Sequence, residues 1–238
     1  MLRRLLIAVL VLLVAAVVVV DRVGAHVAAH VLAGKLQTDE HLPNRPSVSI
    51  AGVPFLTQAI GGKYHDVSIT AHGFKTPDGV TVTTLKATLH GAHIPLSKVL
   101  GGSVSKVPVD RVTGTAYVSF ADITRYLGAN GTSVTLRRTS PTSIEVARKV
   151  PLGKRTAIAT GIAKVTVNND LIVLSVGDID STSIVGVKRQ PSHVVLVQPF
   201  SLAVPLRSLP FRIDVKSVTV GTSGITATGA ADHVTLGS

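Results

Sequence analysis

The chain has 238 residues, no cysteine, three per cent aromatic residues and a formal charge of +11. The lack of cysteine excludes disulfide frameworks, thiol catalysis, cysteine zinc sites and lipoprotein acylation. Hydrophobic residues make up 45% of the chain, enough for a core and against disorder, and the basic balance suits an anionic lipid, a nucleic acid or an acidic wall polymer.

Met1-Leu2-Arg3-Arg4 is a short basic start, and Leu5–Val20 is an unbroken run of 16 apolar residues. That run is slightly long for the core of a signal peptide and short for a spanning helix. Val23-Gly24-Ala25 puts small residues where a signal peptidase cuts. Residues 1–25 are therefore expected to be an export signal, either cleaved near Ala25 or retained as a membrane anchor, with residues 26–238 forming one domain. Residues 22–37 predict a helix, because Val23, Val27 and Val31 recur every fourth position with Leu32 beside them. His26 and His30 share the same spacing. A polar loop from Thr38 to Pro46 ends that helix.

Strands follow: Val48–Ile50, His65–Thr70, Val80–His90, Val107–Phe120, Ser133–Arg138, Ser143–Val150, Thr156–Val167, Leu171–Val176, Arg212–Val220, Ile225–Ala230 and a short Val234–Leu236. Thr76-Pro77-Asp78-Gly79 is a turn, with proline fixing one corner and glycine following the aspartate. Asn168-Asn169-Asp170 and Gly221–Gly224 read as hairpin tips. Short helices are expected at Pro54–Ile60, at Pro95–Leu100 and, capped by Asp122 and ended by Gly128, at 120–128. The fold class is α+β: an N-terminal helix wrapped by a long, curled antiparallel sheet with short helices at its rim. So many strands must curl or split. A sheet curling round the helix leaves an apolar interior of the kind that holds lipid.

Catalytic patterns are absent or isolated. His26 and His30 have no carboxylate between them and HExxH is missing, so no metal is expected. Ser103-Val104-Ser105-Lys106 matches SxxK without its companion SDN or KTG motifs. Asp178 and Asp180 form a tight carboxylate pair, whereas a glycosidase needs two carboxylates across a cleft. No nucleophile elbow, phosphate-binding loop or dinucleotide fingerprint occurs. Nucleic acid is not expected either, because stacking platforms are lacking. A non-enzyme without cofactor follows. The stretch "IAGVPFLTQAIGGKYHDVSI" at 50–69 leaves two readings open: Phe55 and Leu56 form the lip of a lipid cavity, or they plug the core.

Several segments carry a resemblance. They are Val48-x-Ile50-x-Gly52-x-Pro54-Phe55-Leu56, then Tyr64 and Asp66-Val67, "LHGAHIPL" at 89–96, "FADIT" at 120–124 and the ending "LPFRIDVKSVTVGTSGITATGAADHVTL". Together they resemble the LmeA-like phospholipid-binding proteins of actinobacteria, long labelled a domain of unknown function, over nearly all of the chain after residue 20. The resemblance implies an exported envelope protein that binds phospholipid, phosphatidylinositol among others. It also implies a link to elongation of the mannan on lipomannan, and a fold like one module of the tubular lipid-binding proteins. The expected partners are then an anionic phospholipid and the membrane surface. Val27, Val31, Phe55, Leu56, Ile60, Ile94, Leu96, Val99, Ile123 and Leu127 are the expected apolar lining or lip. Lys63, Lys98 and Arg125 are the expected headgroup contacts. The alternative is an envelope scaffold that tethers a glycosyltransferase or wall polymer through its basic surface.

Overall fold

The computed structural model describes residues 2–95, 97–98, 106–152, 155–168, 171–184, 200–205 and 214–236. In chain order the elements are α1 (Leu2–Asp39), β1 (Ser47–Ala51), α2 (Phe55–Gly61), β2 (Lys63–Lys75), β3 (Thr81–His93), β4 (Val107–Ser119), α3 (Phe120–Ala129), β5 (Val134–Ser140), β6 (Ser143–Leu152), β7 (Arg155–Asn168), β8 (Leu171–Ile184), β9 (Phe200–Pro205), β10 (Asp214–Val220) and β11 (Gly224–Leu236). The α+β class holds, with a long N-terminal helix and antiparallel sheets that stay open. The strands split between two sheets, a six-stranded one in the order β1-β2-β3-β4-β11-β10 and a five-stranded one in the order β5-β6-β7-β8-β9.

Three features differ from the sequence reading. The apolar run and the following helix are one continuous α1, because no proline interrupts residues 2–39. The last short strand is the end of β11, which passes through His233 at a positive φ of 52°. β9 was not anticipated, since Phe200–Pro205 is short and ends in proline. Of the helix expected at 95–100, only Ser97 and Lys98 are described as helical, and Ser103 lies outside the described residues.

The chain divides into two compact units, the first comprising Met1–Ala71, Lys86–Thr113 and Ala231–Ser238 and the second His72–Leu85 and Gly114–Ala230. In the first unit α1 packs on β1 and α2. It turns Ala29 and Ala33, one helical turn apart, inward. Val67, Ile69 and Ala71 alternate inward on β2, as do Ala87 and Leu89 on β3. On β3 the alternation skips a step between Leu89 and Ala92. Gly91 sits there at φ +64°, the conformation that lets a long strand bend.

The second unit has a filled core. Ile123 and Leu127 of α3 join Ile144, Val146, Ala163, Ile172, Leu174, Val204 and Ile225, all buried in one cluster. Helix α3 starts there for a local reason. The Ser119 hydroxyl accepts the Asp122 N–H at 3.1 Å and donates back to the Asp122 carboxylate at 2.6 Å. The Thr83 hydroxyl accepts the Ser119 N–H at 3.0 Å and donates to the same carboxylate at 2.9 Å.

Candidate functional site

Asp21 follows directly on the apolar run and is 2% exposed. One carboxylate oxygen accepts the Leu56 N–H at 2.8 Å, and the other accepts from Arg22 at 2.9 Å. The Leu56 N–H is one of the free amides at the start of α2, whose own N-cap, Pro54, makes no side-chain cap. An orphan helix terminus is thus satisfied by a carboxylate from another helix.

Three further contacts fix α2. Phe55 lies against α1 at Gly24, where a Cβ would sit 3.4 Å from the Phe55 ring, and stacks at a tilt on Tyr64 with ring centroids 6.1 Å apart. The buried Gln58 donates to the Ala51 carbonyl at 3.3 Å and accepts the His65 N–H at 2.9 Å, joining the end of β1 to the start of β2. At the far end Gly62 takes the left-handed conformation, and its carbonyl accepts the Ile94 N–H at 2.8 Å. The Tyr64 hydroxyl is buried without a partner among the described residues, and burial pushes its phenol up.

The question left open by the sequence is answered for exposure. Phe55 is 4% exposed and plugs the packing against α1, so it is no lip. The exposed apolar side chains here are instead Val53 (75%), just before α2, and Ile60 (80%), in its last turn. Leu56 is half-buried, while Val27 and Val31 lie on the open face of α1. Ile94 is buried in the first unit, and Ile123 and Leu127 are buried in the core of the second. Within the first unit, then, Phe55 and Ile94 are buried, whereas Val27, Val31 and Ile60 are exposed. Leu96 and Val99 lie outside the described residues.

The headgroup candidates are similarly divided. Lys63 is bonded to Asp110 at 3.1 Å, and Arg125 is paired with Asp122. Lys98 is exposed on the short helical segment. Asp110 occupies the space above Gly91, where any side chain would collide with its carboxylate. The Lys63 ammonium holds the Asp110 carboxyl below its usual range, with partial burial opposing and His93 and His233 assisting. Beside it His90 Nδ1 is 2.5 Å from Asp66, and its Nε2 is 3.3 Å from Thr113. No group of three or more His, Asp or Glu residues that could hold a metal occurs among the described residues.

Sequence reasoning missed Asp21, Gln58 and Val53. Asp21 had a signal, being the only acidic residue before Asp39. Gln58 had none, because its role comes from where β1 and β2 end.

A family model for LmeA-like phospholipid-binding proteins matches residues 19–230. The chain belongs to the LmeA-like phospholipid-binding family. The match begins two residues before Asp21, so the pin between α1 and α2 lies within the family region of this LmeA-like chain. No curated protein and no solved structure matches it.

Proposed function

We propose that this LmeA-like protein is a non-enzymatic cell-envelope protein, held in the membrane by α1, that binds an anionic phospholipid such as phosphatidylinositol. In this role it supplies lipid to an enzyme building an envelope polymer, in keeping with the mannan elongation implied by the resemblance.

The observation that carries this reading is the family match over residues 19–230. The apolar surface of α1 supports it. Sixteen residues from Leu5 to Val20 rise about 24 Å, close to a hydrocarbon core of about 30 Å. Every residue from 2 to 20 is exposed. The net charge of +11 favours anionic lipid.

Retention of the leader is supported by Asp21 and Gly24. Cleavage after Ala25 would remove both the carboxylate that caps α2 and the glycine on which Phe55 rests. The deciding measurements are made on full-length protein from native membranes. Mass spectrometry of co-purified lipid should find anionic phospholipid in excess over zwitterionic. A tryptic digest should contain the peptide from Val23 to Lys35, since trypsin cuts after Arg22 and Lys35. A peptide beginning at His26 would show that the leader is removed. Absence of any co-purified lipid, with equal and salt-insensitive binding to anionic and zwitterionic vesicles, would reject the lipid reading in favour of a scaffold.

A further inference from the structure

Beyond Asp21, α1 carries two parallel rows on its open face. Val23, Val27 and Val31 are exposed, at 56%, 56% and 47%. Arg22, His26 and His30 are exposed beside them, each one position earlier. Residues four apart stay on one face of a helix, each advancing about 40° round the axis. The valine row and the Arg22–His26–His30 row therefore run side by side without crossing. No acidic residue occurs from 22 to 38, and the acid at the start of the rows, Asp21, is buried beneath α2. Arg45 extends the polar row: its guanidinium donates to the His30 carbonyl at 2.7 Å and is itself exposed. Part of Arg22 is committed, since it donates to Asp21 at 2.9 Å and to the Gly52 carbonyl at 3.3 Å.

From this juxtaposition we infer that the segment from Arg22 to Arg45 is a track along which a glycerophospholipid with an anionic headgroup leaves the bilayer. An acyl chain lies on the valine row and the phosphate on the Arg22–His26–His30–Arg45 row. Two facts select this occupant. The valine row continues the exposed apolar surface of residues 2–20 without a break in the helix. The row next to it carries guanidinium and imidazole groups that can donate to a phosphate, and its one carboxylate partner, Asp21, engages Arg22 alone. An exposed apolar row on a soluble helix is otherwise left unexplained. The inference rests on the proposed function, and it assigns the bound lipid to a stretch of helix outside the membrane.

The test uses full-length protein in phosphatidylcholine vesicles containing phosphatidylglycerol with a diazirine at the end of one acyl chain. In a resting bilayer that group sits at the membrane centre. Val31 lies 11 residues beyond Val20, about 16 Å along the helix. Photolabelling of Val27 and Val31 therefore requires the chain to have left the bilayer, and this labelling is expected. Val27→Asp/Val31→Asp and His26→Glu/His30→Glu should each reduce it by about tenfold or more. Both change exposed positions, and an unaltered thermal melt verifies that the fold is intact. Labelling confined to residues 2–20, while phospholipid still co-purifies, overturns the track and leaves the proposed function standing. Labelling of α1 that neither variant reduces also overturns it. If Val27→Cys forms a disulfide-linked dimer in the vesicles, the face belongs to a second copy and the inference is wrong. If no phospholipid co-purifies, the proposed function fails and the track with it.

Discussion

The carboxylate of Asp21 and the backbone N–H of Leu56 lie 2.8 Å apart, although 35 positions separate them in the chain. This bond joins the end of the apolar run, within α1, to the start of a seven-residue helix that has no side-chain cap of its own. A helix that short does not persist in water unaided. Its order derives from Asp21, Phe55 and Gln58 together.

Asp21→Ala should therefore loosen α2 without unfolding the second unit. The expected result is a lower melting temperature and faster amide exchange at residues 55–61. Amides of β5 to β8 should keep their protection. Asp21→Asn should recover part of the loss, because its side-chain oxygen still accepts from Leu56.

Phe55 and Ile60 should separate stability from membrane contact. Phe55→Ala removes a buried ring and should cost about 3–5 kcal/mol in denaturant unfolding. Phe55→Asp would unfold the first unit on either functional reading and so discriminates nothing. Ile60→Asp alters an 80% exposed side chain and should change stability by less than about 0.5 kcal/mol. If Ile60 meets the bilayer, vesicle binding of Ile60→Asp falls while its melt is unchanged. Unchanged binding would remove Ile60 from the membrane surface.

Asp122 should give the second unit an acid limit. Burial raises its carboxyl, but the hydrogen bonds from Ser119, Thr83 and Arg125 outweigh this and leave it below the ordinary range. A group depressed in the folded state stabilises above its unfolded value of about 3.9 and loses that contribution as pH falls through the folded value. Asp122→Asn should therefore be less stable than the parent at neutral pH and flatter below about pH 4 in urea titrations. Ser119→Ala should cost about 1 kcal/mol by removing the cap itself.

Gly91→Ala should destabilise by about 1–3 kcal/mol, since the position has positive φ. It should also displace Asp110 and so release Lys63. Gly91→Ala/Asp110→Ala relieves the collision but not the backbone strain. The double variant should therefore recover only part of the stability, as read by thermal melts.

The sequence by itself determined the class and most of the elements. Alternating β-branched residues fix which face of each strand is apolar, and Asp122 marks the first turn of α3, although the cap itself is Ser119 and not Asp122 as expected. The apolar run of 16 residues announces a membrane-seeking segment from composition alone. These are local signals, spaced within a few residues of one another. What only the tertiary structure decided is long-range: that the Asp21 carboxylate meets the start of α2, that Phe55 faces inward while Val53 and Ile60 face out, and that Lys63 is already paired with Asp110. Each of these depends on which distant backbone amides and charges are brought within hydrogen-bond reach. The packing of α1 on α2 and β1 sets that distance, and the spacing of residues along the chain carries no record of it.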